Sequence, residues 1–173
     1  RFVMNIFLAV LSSTVFTAIL EFSLRPFAYL PGRGTTVFMR DNLLGWKLRP
    51  YASDQWANVR VAINGKGLRG PELPYARQQY RRRILYLGDS VTFGFGIEYE
   101  QSFPFLVESI LKRTQIDTIE TINSGVDGYS PWQEYIYLTR EGLLYQPDLV
   151  VVSFVLNDVT ERLSLRRFGG WHE

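Results

Sequence analysis

The sequence of 173 residues contains no cysteine. This absence excludes disulfide bonds, thiolate zinc sites, iron–sulfur clusters and cysteine nucleophiles. Histidine occurs once, at His172, the last residue but one. The net charge is only +2, without the basic excess that is typical of nucleic-acid-binding domains. We therefore expect no nucleic-acid partner, no metal ion and no cofactor.

The rest of the composition is that of a folded protein, with 46% hydrophobic and 21% charged residues. Aromatic residues make up 15%, which suits large buried faces or a position near a membrane. The chain begins with Arg1 and ends in RRFGGWHE, without a clear end of an element. We expect it to be a piece of a longer protein.

A long uncharged segment, residues 2–20, stands at the N-terminus. As a helix, nineteen residues rise about 28 Å, close to the thickness of the hydrocarbon core of a bilayer. We predict a transmembrane anchor over residues 1–25. Two alternatives stay open: a cleaved signal peptide, which would have a shorter apolar core, and a buried helix of a soluble domain.

The anchor contains small hydroxyl residues, Ser12, Ser13, Thr14 and Thr17, and also Asn5. Their hydroxyl groups can bond to the carbonyl one turn back, so that a single anchor tolerates them. Such residues are also common where membrane helices touch, and a contact with other membrane-protein subunits is the alternative.

Residues 26–82 are rich in glycine and proline and are predicted to be a juxtamembrane linker that packs on the following domain. Within it, WANVRVAIN at 56–64 alternates like a short strand, with Val59, Val61 and Ile63 on one face. The dipeptide after it, Asn64-Gly65, is a turn signal. The basic QYRRR at 79–83 is interpreted as a solvated lead-in, or as a contact with anionic lipid headgroups.

From residue 83 to residue 173 the chain is predicted to be the N-terminal part of an α/β domain. Apolar runs of strand type lie at 83–87, 117–125 and 149–156, and the last is expected to be a central strand covered on both faces. Helical periodicity lies between them, at 102–113 with Ser102 as N-cap, and at 130–145 with Ser130 and Gln133 as capping box. The order β-α-β-α-β predicts a parallel sheet with helices on its faces.

Polar residues follow each of the three predicted strands. They are Gly88-Asp89-Ser90, then the stretch from Asn123 to Gly128, then Asn157-Asp158. Ligands of parallel sheets bind just outside the carboxyl ends of the strands. Because these ends meet at one edge, we expect the three groups to form one site.

These stretches resemble the motifs of the SGNH (GDSL-type) hydrolase family, over about residues 60–160. The resemblance implies a flavodoxin-like, three-layer α/β/α sandwich. YLGDSVTFGFG is similar to the first block of the family and implies Ser90 as nucleophile. NSGVDGYS and FVLND are similar to the second and third, and imply Gly128 and Asn157 as oxyanion-hole residues. Asp89 and Asp158 are expected to support the loops around them.

The sequence departs from the family pattern in two places. Val155 stands where the third block usually has glycine, and a β-branched residue there restricts the backbone. The Asp-x-x-His block is missing, and His172 lacks its pattern. Without a histidine, Ser90 would stay a weak nucleophile.

The resemblance, the anchor and the departures from the family pattern leave three functions open. The first is a membrane-anchored esterase or acetylesterase that acts on ester or O-acyl carbohydrate of the cell envelope. INGKGLRGPE at 63–72 is similar to a segment of membrane-attached bacterial members, which implies a single pass through the bacterial inner membrane and a periplasmic domain. The second is a non-catalytic subunit of a larger membrane complex, such as a respiratory or photosynthetic assembly. The third is a soluble secreted hydrolase.

Overall fold

The computed structural model describes residues 2–24, 35–114, 118–156 and 158, and every structural statement below concerns these residues. The chain divides into two compact units, residues 1–34 and residues 35–173. Asn157 and His172 lie outside the described residues.

The described part of the first unit, residues 2–24, is the helix α1 (Phe2–Leu24). Its Ser12, Thr14 and Thr17 hydroxyls donate to backbone carbonyls three or four residues back, at 2.8–3.0 Å. The bonding predicted for these three hydroxyls is therefore confirmed, and it gives each of them a partner within the helix. The stretch Met4–Ser23 has a mean hydropathy of 1.9 and is long enough to span a membrane. These are properties of length and composition, which a signal sequence near an N-terminus shares.

The second unit opens with two antiparallel hairpins. The first joins β1 (Phe38–Asp41) to β2 (Gly45–Leu48), and the second joins β3 (Ser53–Trp56) to β4 (Val59–Ala62). The strand predicted around Val59 and Val61 is confirmed, with Ile63 in a single bridge to Arg69. The other three strands, each of four residues, were not predicted.

A parallel three-stranded sheet follows, formed by β5 (Arg82–Gly88), β6 (Ile119–Asn123) and β7 (Leu149–Ser153). The strand order is β6-β5-β7, so β5 lies in the middle. The predicted parallel sheet is confirmed, whereas the three-layer sandwich stays a prediction. The expectation that β7 is central is wrong for the described sheet: it lies at an edge, and the side chains of Leu149 and Val152 are 53% and 55% exposed.

Three helices accompany the sheet: α2 (Ser90–Phe93), α3 (Phe103–Arg113) and α4 (Pro131–Arg140). A 3-10 turn precedes α3 at Tyr99–Gln101, and another follows α4 at Gly142–Tyr145.

The capping predictions for α3 and α4 have different outcomes. Gln133 Oε1 accepts from the Ser130 backbone amide at 3.0 Å, which confirms the capping box of α4. Ser102 stands at the N-cap position of α3, but its hydroxyl donates to the carbonyl of Tyr99 at 2.7 Å. The hydroxyl therefore closes the preceding turn and does not cap the helix.

The hairpins pack against the carboxyl edge of the sheet through aromatic residues. Trp46 Nε1 donates to the Asp127 carbonyl at 3.1 Å, and the Tyr129 hydroxyl donates to the Trp46 carbonyl at 2.9 Å. Trp56 contacts Phe93 at a ring-centroid distance of 5.6 Å. One buried cluster holds the two parts together; its members are Val37, Leu44, Trp46, Leu48, Trp56, Val61, Ile63, Phe93, Val126, Tyr129 and Ile136. This packing sets the position of the strand-end loops.

Candidate active site

The turn from β5 into α2 carries Ser90 as the first helical residue, half-buried. Asp89 is buried, and its carboxylate caps the helix by accepting from the Val91 backbone amide at 2.9 Å. A Cβ on Gly88 would lie 2.8 Å from the Cβ of Thr92, so only glycine fits this close turn. Each residue of Gly-Asp-Ser thus has its own structural role. Gly88 allows the close approach to Thr92, Asp89 caps the helix, and Ser90 stands at the carboxyl end of the middle strand.

The loop after β6 is fastened to this turn by Asn123. Its Nδ2 donates to the Thr92 carbonyl at 2.8 Å, and its Oδ1 accepts from the Gly125 amide at 3.0 Å. The Val126 amide donates to the Gly88 carbonyl at 3.1 Å, which places the loop directly beside the serine turn. All of these groups are buried, so their hydrogen bonds resist exchange with water.

Gly128 lies in the same loop with a φ of 75°, in the left-handed region that favours glycine. A Cβ there would also approach the ring of Trp46 at 3.3 Å. The structure therefore brings the loops of Ser90 and Gly128 together at one edge of the sheet. Their catalytic and oxyanion-hole roles stay predictions.

The segment after β7 completes the edge, since Gly88 pairs with Ser153 in the parallel register. Asp158 Oδ2 accepts from the Val155 amide at 2.7 Å, and the Asp158 amide donates to the Val155 carbonyl at 3.1 Å. Asp158 is thus bonded to Val155 through both its side chain and its backbone, and its supporting role stays a prediction. Burial raises the pKa of this carboxyl group, and the charge of Asp89 adds to the effect.

A third carboxyl group belongs to this edge and was not predicted. Burial, and to a lesser extent the charge of Asp89, raise the pKa of Asp127 to about 6. The sequence places Asp127 among turn residues, where an aspartate is ordinary. Both causes come from the fold: the burial, and the charge of Asp89, which is 38 positions earlier in the chain. Among the described residues, no group of acidic or histidine side chains is arranged to hold a metal ion.

Comparisons with known proteins return matches among solved structures only. No family model and no curated protein matches the chain. A crystal structure of AlinE4, an SGNH-hydrolase family esterase, is similar with 27% identity and a TM-score of 0.42. Two structures of mutants of the same esterase match with 27% and 26% identity and the same TM-score of 0.42. Each alignment covers 53% of this chain and 50% of the other, so the chain spans about half the length of the structures it matches.

Proposed function

We propose that this chain carries the nucleophile and part of the oxyanion hole of a serine ester hydrolase. The observation that carries the proposal is the position of Ser90. It is a half-buried serine that begins a helix at the carboxyl end of the middle parallel strand, with the Gly128 loop fastened beside it. Ligands of such sheets bind at this edge.

In the proposed reaction, Ser90 Oγ attacks the acyl carbonyl carbon of an ester. The new O–C bond forms as the carbonyl π electrons move onto oxygen, and the hydroxyl proton passes to a general base. When the oxyanion collapses, the alcohol leaves with that proton, and water later releases the acid from the acyl-serine. The Ser90 and Gly128 amides and the Asn157 side chain are the proposed oxyanion donors. Loss of one donor typically lowers the rate about 100- to 1,000-fold.

The general base is the open part of the proposal. The sequence has one histidine, His172, outside the described residues. We propose that the base belongs to an Asp-x-x-His block that the coding sequence supplies after residue 173. A gene that stops near that codon would argue for the alternative, a non-catalytic subunit that docks through α1 in a larger membrane complex.

The proposed setting is the bacterial inner membrane, with α1 as the anchor and the α/β unit on the periplasmic side. The apolar, charge-free length of Met4–Ser23 supports an anchor. An enzyme tethered there would meet acyl esters of the cell envelope, and O-acyl carbohydrate is the proposed substrate class. Release of acetate from acetylated envelope polysaccharide, compared with release from a soluble aryl acetate, tests this choice.

A fluorophosphonate probe tests the nucleophile, because it phosphonylates activated serine hydroxyls. Detergent-solubilised protein expressed from the whole gene should be labelled, and Ser90→Ala should not. Ser53→Ala is the matched control, since Ser53 is an exposed serine of β3 far along the chain from the site, and it should label like wild type. Folded wild-type protein that resists the probe would contradict the hydrolase and favour the non-catalytic subunit.

A further inference from the structure

The segment INGKGLRGPE folds into a tight loop that Asn64 organises from within. Asn64 Oδ1 accepts from the amides of Lys66 and Leu68 at 2.9 and 3.0 Å, and its Nδ2 donates to the Pro71 carbonyl at 2.9 Å. Gly67 has a φ of 74°, which a side chain would disfavour. The loop thereby holds one residue, Arg69, in a defined direction.

The side chain of Arg69 reaches into the region that follows Ser90. Its Nη1 donates to the carbonyls of Phe93 and Gly94 at 3.1 and 2.6 Å, and its Nη2 donates to the carbonyl of Ile97 at 2.7 Å. The guanidinium carbon also lies 5.0 Å from the ring centroid of Phe93. Arg69 is only 1% exposed, so these carbonyls replace water as its partners.

Two of these acceptors stand at the carboxyl end of α2, because Phe93 is its last residue and Gly94 its C-cap, whereas Ile97 belongs to the loop that follows. The last carbonyls of a helix point away from it and carry partial negative charge, which a cation offsets. Because α2 has four residues, it has too few internal hydrogen bonds to persist alone. Its first residue is Ser90, so whatever holds its last turn also sets the direction of the serine.

We infer that Arg69 is a positioning residue, which clamps the carboxyl end of α2 and thereby fixes the orientation of Ser90 for attack. The chemical consequence rests on the proposed hydrolase function. The clamp itself is a matter of structure and can be tested without any reaction. Lysine cannot replace arginine here. The planar guanidinium group donates to all three carbonyls at once, whereas a single ammonium group cannot reach them together.

The chain offers a matched control in Arg83, which is also 1% exposed. Arg83 Nε donates to Glu120 at 2.9 Å, and its Nη1 donates to the carbonyls of Tyr75 and Tyr145, each at 2.9 Å. It stands near the start of β5, whereas the serine turn follows its end. At the usual strand rise, Arg83 and Gly88, which are five residues apart, lie about 16 Å from each other. Arg69 and Arg83 are therefore equally buried and each donate three hydrogen bonds, although one acceptor of Arg83 is a carboxylate, and they differ in distance from Ser90.

The kinetic test compares Arg69→Lys with Arg83→Lys in protein from the whole gene, at a temperature where thermal melts show both variants folded. We expect the second-order rate of fluorophosphonate labelling to fall about 10- to 100-fold in Arg69→Lys, since an ångström of misplacement can cost that much. With an aryl acetate, the loss should fall on kcat and leave KM within about threefold. Arg83→Lys should label within about threefold of wild type. Equal losses in both variants would overturn the inference.

Hydrogen exchange gives a second readout that needs no activity. The Gly94 and Phe95 amides both donate to the Ser90 carbonyl at 3.0 Å, so their exchange reports opening of the serine turn. Arg69→Lys should accelerate exchange in this segment while the amides of β5 and β6 stay protected. If Arg69→Lys accelerates amide exchange equally throughout the sheet, the inference that Arg69 clamps α2 is wrong. If the exchange is accelerated only after Ser90 but the wild-type protein is not labelled by the probe, the clamp stands and only the hydrolase function is refuted.

Discussion

At the scale of single residues, Asp127 has the clearest dependence on pH. Its pKa of about 6 in the folded protein exceeds the ordinary aspartate value, because burial and the charge of Asp89 disfavour the carboxylate. The folded state thus holds this proton more tightly than the unfolded state. The corresponding contribution to stability is full below about pH 4 and is lost as the pH rises to about 6.

Asp127→Asn should therefore stabilise the protein near neutral pH, by about 1–3 kcal/mol for a shift of this size. Near pH 4 the free energy of unfolding should equal that of wild type, because the wild-type carboxyl group is then neutral. Urea unfolding at the two pH values measures the difference.

Asp148 provides a control, because its pKa is shifted in the opposite direction from that of Asp127. Hydrogen bonds from Arg77, from the Arg83 amide and from Arg82 hold its pKa well below the usual range. Its contribution is present near neutral pH and is lost in acid, so Asp148→Asn should destabilise the protein at neutral pH. A stabilised Asp148→Asn, or an unchanged Asp127→Asn, would contradict this account of the charges.

In the basic cluster at 79–83, the interpretation as a solvated lead-in fails at one residue. Arg82 pairs with Asp148 at 3.0 Å, Arg81 with Glu120 at 3.7 Å, and Arg83 is buried. The prediction of a solvated lead-in is wrong for Arg83. Its partners come from distant positions, so no local pattern distinguishes a buried arginine from its exposed neighbours.

At the scale of elements, the contact between the β6 loop and α2 depends on Gly125. A Cβ there would lie 2.6 Å from the carbonyl carbon of Thr92 and would also meet the amide nitrogen of Phe93. Both are backbone atoms, which cannot move aside as a side chain could. The loop of Gly128 and the helix of Ser90 can approach each other only because position 125 has no side chain.

Gly125→Ala should therefore separate the two loops, destabilise the protein by about 3 kcal/mol or more, and abolish fluorophosphonate labelling. Gly96→Ala is the comparison, since it has a φ of 75° but open space around its Cβ. Gly96→Ala should destabilise the protein only by the strain of a left-handed backbone at a residue with a side chain, about 1–2 kcal/mol, and the variant should still be labelled. Denaturant melts and the probe measure both; a Gly125→Ala variant as stable as Gly96→Ala would contradict the close approach.

Elements with a long periodic pattern were predicted, and short ones were missed. The helix expected over 130–145 ends at Arg140, where the chain changes to a 3-10 turn. There Gly142 packs so closely that a Cβ would lie 2.9 Å from Leu85 of β5. The close packing of Gly142 against β5 therefore determines where α4 ends. The hairpin strands, with four residues each, are too short for alternation to stand out from loop sequence.

At the scale of the whole molecule, the described residues form a helix of membrane-spanning length and an α/β unit with its own core. If α1 is an anchor, the full protein should stay in the membrane pellet after alkaline carbonate extraction. A variant without residues 2–24 should enter the soluble fraction. Intact mass of the wild type should include these residues; a mature protein that lacks them would show a cleaved signal peptide.

The sequence by itself determined the apolar helix, the parallel strands and the order of the polar strand ends. These follow from periodicity and from chain direction, which are local properties. Only the tertiary structure decided that Arg69 reaches the carbonyls after Ser90, that Asp127 is buried within the field of Asp89, and that Gly125 lets two loops touch. Each of these depends on groups far apart in the chain, whose distance and burial exist only once the sheet and the hairpins pack together.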